Sequence, residues 1–80
     1  MTSDTLDARN LLCPMPVIRA QNRIKTLTKG DILEVTCTDP GAKNDLPAWC
    51  RINGHQVAEI ETRDNAQGTE IIIKIVVGGE

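Results

Sequence analysis

The chain has 80 residues, of which 40% are apolar and 25% charged, and a formal net charge of −2. That length supports a single domain over residues 1–80 with a modest core, so any chemistry must sit at the surface and use few side chains. The acidic balance removes the electrostatic reason to seek nucleic acid. The longest apolar run, Ile71 to Val77 with Lys74 inside it, is too short to cross a bilayer. The start, Met1-Thr2-Ser3-Asp4, is polar and holds no signal segment, so the expectation is a soluble cytoplasmic protein with no membrane partner.

In chain order, Thr5 to Ala8 reads as a short edge strand. Pro14 to Leu27 reads as a helix, because Val17, Ala20, Ile24 and Leu27 recur at three- and four-residue spacing and form one apolar stripe, and Gly30 follows as a stop. Ile32 to Thr38 alternates, with Leu33, Val35 and Cys37 in one phase and Glu34 and Thr36 in the other, the pattern of a half-buried strand. Asp39-Pro40-Gly41 is a turn. Asp45 is placed as the cap of a second helix with Leu46 and Pro47 in its first turn; Leu46, Trp49 and Cys50 face inward, and Asn53-Gly54 ends it. His55 to Thr62 is a strand, Asp64 to Gly68 a loop, and Glu70 to Val77 a last strand rich in Ile and Val. The order β-α-β-α-β-β predicts an α/β (α+β) two-layer sandwich, with both helices on one face of a four-stranded mixed sheet and the last two strands as an antiparallel hairpin.

The chemistry-bearing segment is Leu12-Cys13-Pro14-Met15-Pro16. Two prolines two apart are harmless in a helix only in its first turn, where backbone N–H groups lack intrahelical partners. Pro14 at the first helical position puts Cys13 at the cap. Ser, Thr, Asp and Asn cap better than Cys, so the sulfur is wanted for itself. The partial positive charge of a helix start favours a thiolate, the nucleophile of sulfur transfer. Pro14 and Pro16 shape the site by fixing the backbone around it. The plainer reading is a small residue that happens to begin a helix.

Three cysteines, Cys13, Cys37 and Cys50, make an odd number, which argues against a disulfide scaffold. Their spacing fits no zinc pattern and no metal is expected. Cys37 and Cys50 are assigned to the core as small hydrophobes; the rival for Cys50 is a resolving thiol for Cys13. His55 is a turn or strand-edge residue, with a general base near Cys13 as the rival. On the first helix, Ile18, Arg19, Asn22 and Lys25 point away from the apolar stripe at about 100° per residue, and Lys29 extends the basic side. This face is either a solvated surface with one stray Ile or a docking patch for an acidic-rimmed partner that must reach Cys13.

From about Leu6 to Ile75 the chain resembles the bacterial sulfur-carrier proteins of the TusA (SirA-like) type. The resemblance rests on Leu6-Asp7, on Leu12-Cys13-Pro14 with Pro16-Val17 as the Cys-Pro-x-Pro signature, and on Gly30-Asp31, Asp39-Pro40, Asp45-Leu46-Pro47 and Gly54-His55 following in order. It implies a sulfurtransferase, or sulfur carrier, in which Cys13 accepts sulfane sulfur as a persulfide. The donor would be a cysteine desulfurase or rhodanese-type protein, and the sulfur would pass to a downstream acceptor protein. No cofactor is implied beyond the covalently carried sulfur. Family destinations include tRNA 2-thiouridine formation, molybdenum-cofactor synthesis and cytoplasmic sulfur oxidation. By position, Asp39 and the exposed face of the first helix, with Ile18, Arg19 and Lys25, match partner-contact regions. Where the family often has Gly, this chain has Asn10, which tolerates a left-handed backbone nearly as well. A different class of function stays open, a redox-sensitive regulatory interaction module without sulfur transfer. RNA binding is disfavoured by the acidic charge and the single aromatic residue, Trp49.

Overall fold

A computed structural model describes residues 3–12, 14–66 and 68–78. The elements are β1 (Ser3–Ala8), α1 (Met15–Ile24), β2 (Ile32–Cys37), α2 (Ala42–Ile52), β3 (Gln56–Asn65) and β4 (Gly68–Val76). They form one four-stranded sheet in the order β1-β2-β4-β3. β1 runs parallel to β2, and β4 is antiparallel to both β2 and β3. The two-layer mixed α+β architecture is the one expected, with β1 at an edge.

Strand alternation decides which side chains meet the helices. Leu6 and Ala8 of β1, Leu33, Val35 and Cys37 of β2, and Ile71, Ile73 and Ile75 of β4 share one sheet face. They form a single buried cluster with Ala20 and Ile24 of α1 and Ala42, Leu46 and Cys50 of α2. Each fully buried Leu or Ile contributes about 1.5–3 kcal/mol. The opposite face is laced with charge: in the row where Glu34, Lys74 and Glu59 lie side by side, Lys74 Nζ is 4.0 Å from Glu34 and 3.7 Å from Glu59. β3 is the exposed edge. A bulge between Val57 and Glu59 and the charges Glu59, Glu61, Arg63 and Asp64 discourage a further strand from adding there.

Most boundaries shift from expectation by one to several residues, and three of the shifts have a clear local cause. α1 ends at Ile24 rather than Leu27, because Thr26 N and Leu27 N donate to carbonyls three residues back and Thr26 Oγ1 takes Arg23 O. This tighter last turn still lays Leu27 on the core. α2 begins at Ala42, with Asp45 in its first turn and Pro47 inside it, so Asp45 is not the cap. Gly41 is the cap and no side chain caps it; just before the helix, Asp39 Oδ1 accepts from Gly41 N at 3.1 Å, and Ala42 N donates to Asp39 O at 3.0 Å. Asp39-Pro40-Gly41 is the turn expected, and it leads directly into α2. The Asp64–Gly68 loop shrinks to a tight hairpin, since Asn65 pairs with Gly68.

α2 closes as expected at Asn53-Gly54. Gly54 adopts φ +82° and His55 N donates to Cys50 O at 2.8 Å, the long bond of a left-handed helix cap.

Candidate functional site

Because β1 and β2 are parallel and each is followed by a helix, both helix N-termini come to the end of the sheet where these strands finish. The chain leaves β1 through Arg9 and Asn10. Asn10 holds φ +65°, so the expected tolerance of a left-handed backbone is used, and its N–H donates to Thr38 Oγ1 at 2.9 Å. That bond ties the approach to α1 to the approach to α2.

Leu11 packs on the core, while Leu12 is 75% exposed. Met15 N donates to Leu12 O at 2.8 Å, closing a turn that spans position 13. Ile18 N donates to Pro14 O at 3.1 Å, the first full helical bond, so Pro14 is the cap and not the first helical residue. Position 13 therefore stands one residue before the cap rather than at it. Cys13 itself lies outside the described residues.

The helix start around it is electrostatically bare. Among the described residues, no side chain caps α1 and no acidic residue occupies its first turn. Pro14 and Pro16 have no N–H to offer, and Met15 N is taken. The first helical bond between described residues is that of Ile18 N to Pro14 O. Pro16 is buried and anchors this turn to the core. Among the described residues, the positive end of α1 is anchored by Pro16 and carries no first-turn carboxylate.

Around this point the surface is apolar. Leu12, Met15 and Ile18 are exposed at 75%, 37% and 40%, and Arg19 is exposed beside them. Ile18 had been singled out from helical phase. Leu12 and Met15 had not, although Met15 falls outside the apolar stripe of its helix and Leu12 outside any periodic element. Lys25 is placed elsewhere: it caps the far end of α1, about 15 Å from the helix start at 1.5 Å per residue. Asp39 belongs to the start of α2, on the same end as Pro14.

The other thiols are unsuited to nucleophilic work. Cys37 is buried in the core; burial first, and then the charge of Asp39, push its pKa up to about 11. Cys50 is buried too, and burial pushes it up to about 11. Both are core residues, as expected. His55 lies past the C-terminal end of α2, where its ring stacks on Trp49 at 5.2 Å and its Nδ1 accepts from Gly78 N at 2.8 Å. Its role there is to hold the chain after β4.

A shallow depression of about 250 Å³ lies by Arg9 on the same end as Pro14. Arg9 is held by both oxygens of Asp7 at 2.9 Å and by Glu70 at 3.4 Å, and it draws Asp7 down to about 2. It is not open to an anionic ligand. Among the described residues no cluster of His, Cys, Asp or Glu is arranged to hold a metal, and no helix is long and apolar enough to cross a membrane.

Known proteins extend this picture. The "Putative sulfur carrier protein YrkI" of Bacillus subtilis is 52% identical over 60 residues, covering 74% of this chain and 80% of that one. The sulfur carrier protein TusA of Pseudomonas aeruginosa is 41% identical over 54 residues, 68% of each chain. Among solved structures, a SirA-like protein of Desulfitobacterium hafniense superposes with a TM-score of 0.74 at 28% identity, covering 94% of this chain and 97% of its own. The family model described as "Sulfurtransferase TusA" matches residues 4–75. A two-layer fold of this topology, with a match over nearly its full length, means that the chain belongs to the TusA sulfurtransferase family.

Proposed function

We propose that this protein carries sulfane sulfur on Cys13 as a persulfide and passes it to an acceptor protein. Family membership supports the class of chemistry. The observation that carries the choice of residue is the contrast among the thiols: Cys37 and Cys50 are buried and held protonated, whereas position 13 adjoins a helix start with no carboxylate of its own.

In the loading step the Cys13 thiolate attacks the outer sulfur of a donor persulfide. The donor S–S bond breaks, the donor cysteine leaves as a thiolate, and Cys13 becomes the persulfide. In unloading, an acceptor thiolate attacks the outer sulfur and Cys13 leaves as a thiolate. Each step is an exchange, with no net oxidation. Pro14 and Pro16 make the backbone that follows Cys13 rigid. Leu12, Met15 and Ile18 supply an apolar collar, and Arg19 a positive rim, against which a donor such as a cysteine desulfurase or rhodanese-type protein can seat. Such traffic in free thiols and persulfides fits a reducing compartment such as the cytoplasm.

Incubating the protein with a cysteine desulfurase and cysteine should add about 32 Da per sulfur, read by intact mass. Cys13→Ser should gain nothing. A Cys13→Ser protein that still gained that mass would refute the assignment. If unmodified Cys13 gains nothing from either desulfurase or rhodanese-type donors, the regulatory-module reading takes its place.

A further inference from the structure

The end of the molecule away from position 13 carries a second surface that sulfur transfer does not use. Two adjoining depressions, of about 440 and 690 Å³, share Lys29, His55, Val77 and Gly78 and so form one groove beside the C-terminal ends of both helices. Its floor is apolar, with Leu27, Trp49 and Val77. The floor is also preformed, because Trp49 stacks on His55 and His55 is pinned to Gly78 N. Gly78 is fixed in turn: a Cβ there would lie 1.7 Å from Gly54 O.

The rim is cationic. Lys25, Lys29 and Arg51 are exposed, none forms a salt bridge with a described residue, and no described carboxylate lines the groove. In a chain of net charge −2 this is a local reversal of sign. Cations near helix C-termini complement the dipole, which accounts for their charge but not for the rigid apolar floor between them. The two helix C-termini also disfavour a compact anion seated centrally, so negative groups belong at the rim and apolar groups in the middle.

We propose that this groove docks a short extended segment of a partner protein in which apolar side chains are flanked by carboxylates. Since α1 separates the groove from position 13 by about 15 Å, a partner held there leaves the carrier end free to meet a second protein. The groove is independent of whether Cys13 carries sulfur.

The test titrates the full chain with a synthetic acidic peptide, Glu-Glu-Leu-Ile-Glu-Glu, and with a Lys-for-Glu counterpart, following the emission of Trp49, the chain's only tryptophan. The acidic peptide should give a saturable change that weakens as salt rises to about 0.3 M, and the basic one none. Lys29→Glu combined with Arg51→Glu should weaken binding at least about tenfold while circular dichroism and the alkylation rate of Cys13 stay unchanged. No saturable response at millimolar peptide, equal binding by the double variant, or the same response to inorganic phosphate would overturn the proposal. So would peptide protection of Cys13 from alkylation, which would move the binding to the other end.

Discussion

The two helix starts lie at the same end of the sheet, and each follows a cysteine and a proline, yet they differ in electrostatics. At α2, Asp39 accepts from the N–H of the cap residue Gly41, Asp45 puts a carboxylate in the first turn, and the nearby Cys37 is buried with its pKa raised to about 11. At α1, among the described residues, the first turn holds no acid and carries two prolines that have no N–H to offer. Neither start has a side-chain cap, so the two differ in where the carboxylates stand. On the function proposed above, the start without them is the one that can favour an anionic sulfur.

The comparison can be tested in four ways. The largest effect should be in thiol reactivity. Near neutral pH, Cys13 should alkylate at least about a hundredfold faster than Cys37 or Cys50, whose thiolate fractions are suppressed by burial, so intact mass should show one rapid adduct in the native protein and three after unfolding. A rapid adduct in Cys13→Ser would break the contrast.

Next, Met15→Glu gives α1 the carboxylate it lacks. The side chain is exposed, so the fold should persist, but the alkylation rate of Cys13 at neutral pH should fall about three- to tenfold. Stopped-flow or mass-based kinetics at two salt concentrations would read it, and an unchanged rate would count against the field argument.

Third, Asp39→Ala should cost about 1 kcal/mol, or about 5 °C in Tm, whereas Asp39→Asn keeps an acceptor and should stay within about 0.5 kcal/mol. Both remove the charge beside Cys37. That thiol ionises near 9.0 when unfolded and at about 11 when folded, so the stability tied to it is full below pH 9 and is lost as pH rises from 9 to 11. Without the Asp39 charge the loss should be slightly shallower, since burial is the main cause. Thermal melts across that range would show a steeper loss if the sign were wrong.

The smallest effect is at the tie between the two starts. Asn10→Ala removes the short polar side chain that lets a non-glycine residue tolerate φ +65° and should cost about 1 kcal/mol. Asn10→Gly keeps both the backbone donor and the conformation and should stay within about 0.5 kcal/mol. Chemical denaturation of both variants would separate the two.

Legibility followed the physics of each signal. Period-two and period-three-to-four patterns exposed β2, β4 and the buried stripe of α1, because burial on one face writes itself directly into residue type. The start of α2 reads late because Asp45-Leu46-Pro47 offers good cap and first-turn chemistry, while the true start at Ala42 follows a glycine cap that gives no side-chain signal. The hairpin loop read too long because Asp64 and Asn65 are turn formers that an exposed edge strand tolerates. At the candidate site, the Cys-Pro-x-Pro spacing placed a helix start that the structure sets one residue later, with Pro14 as the cap. Met15 and Leu12 went unread as exposed because an apolar side chain gives no sequence sign of which surface it occupies. Lys25 was grouped with Ile18 and Arg19 by helical phase, which reports the face of a helix and not the distance along it.

The strand order also bears on how the core closes. β4 follows β3 in the chain, yet it sits inside the sheet, bonded to β2 on one side and β3 on the other. Without Gly68–Val76, β1 and β2 could still pair, but β3 would lose its neighbour and the core its Ile71, Ile73 and Ile75. A truncation that removes β4 therefore takes out the keystone of the sheet and not one of its edges.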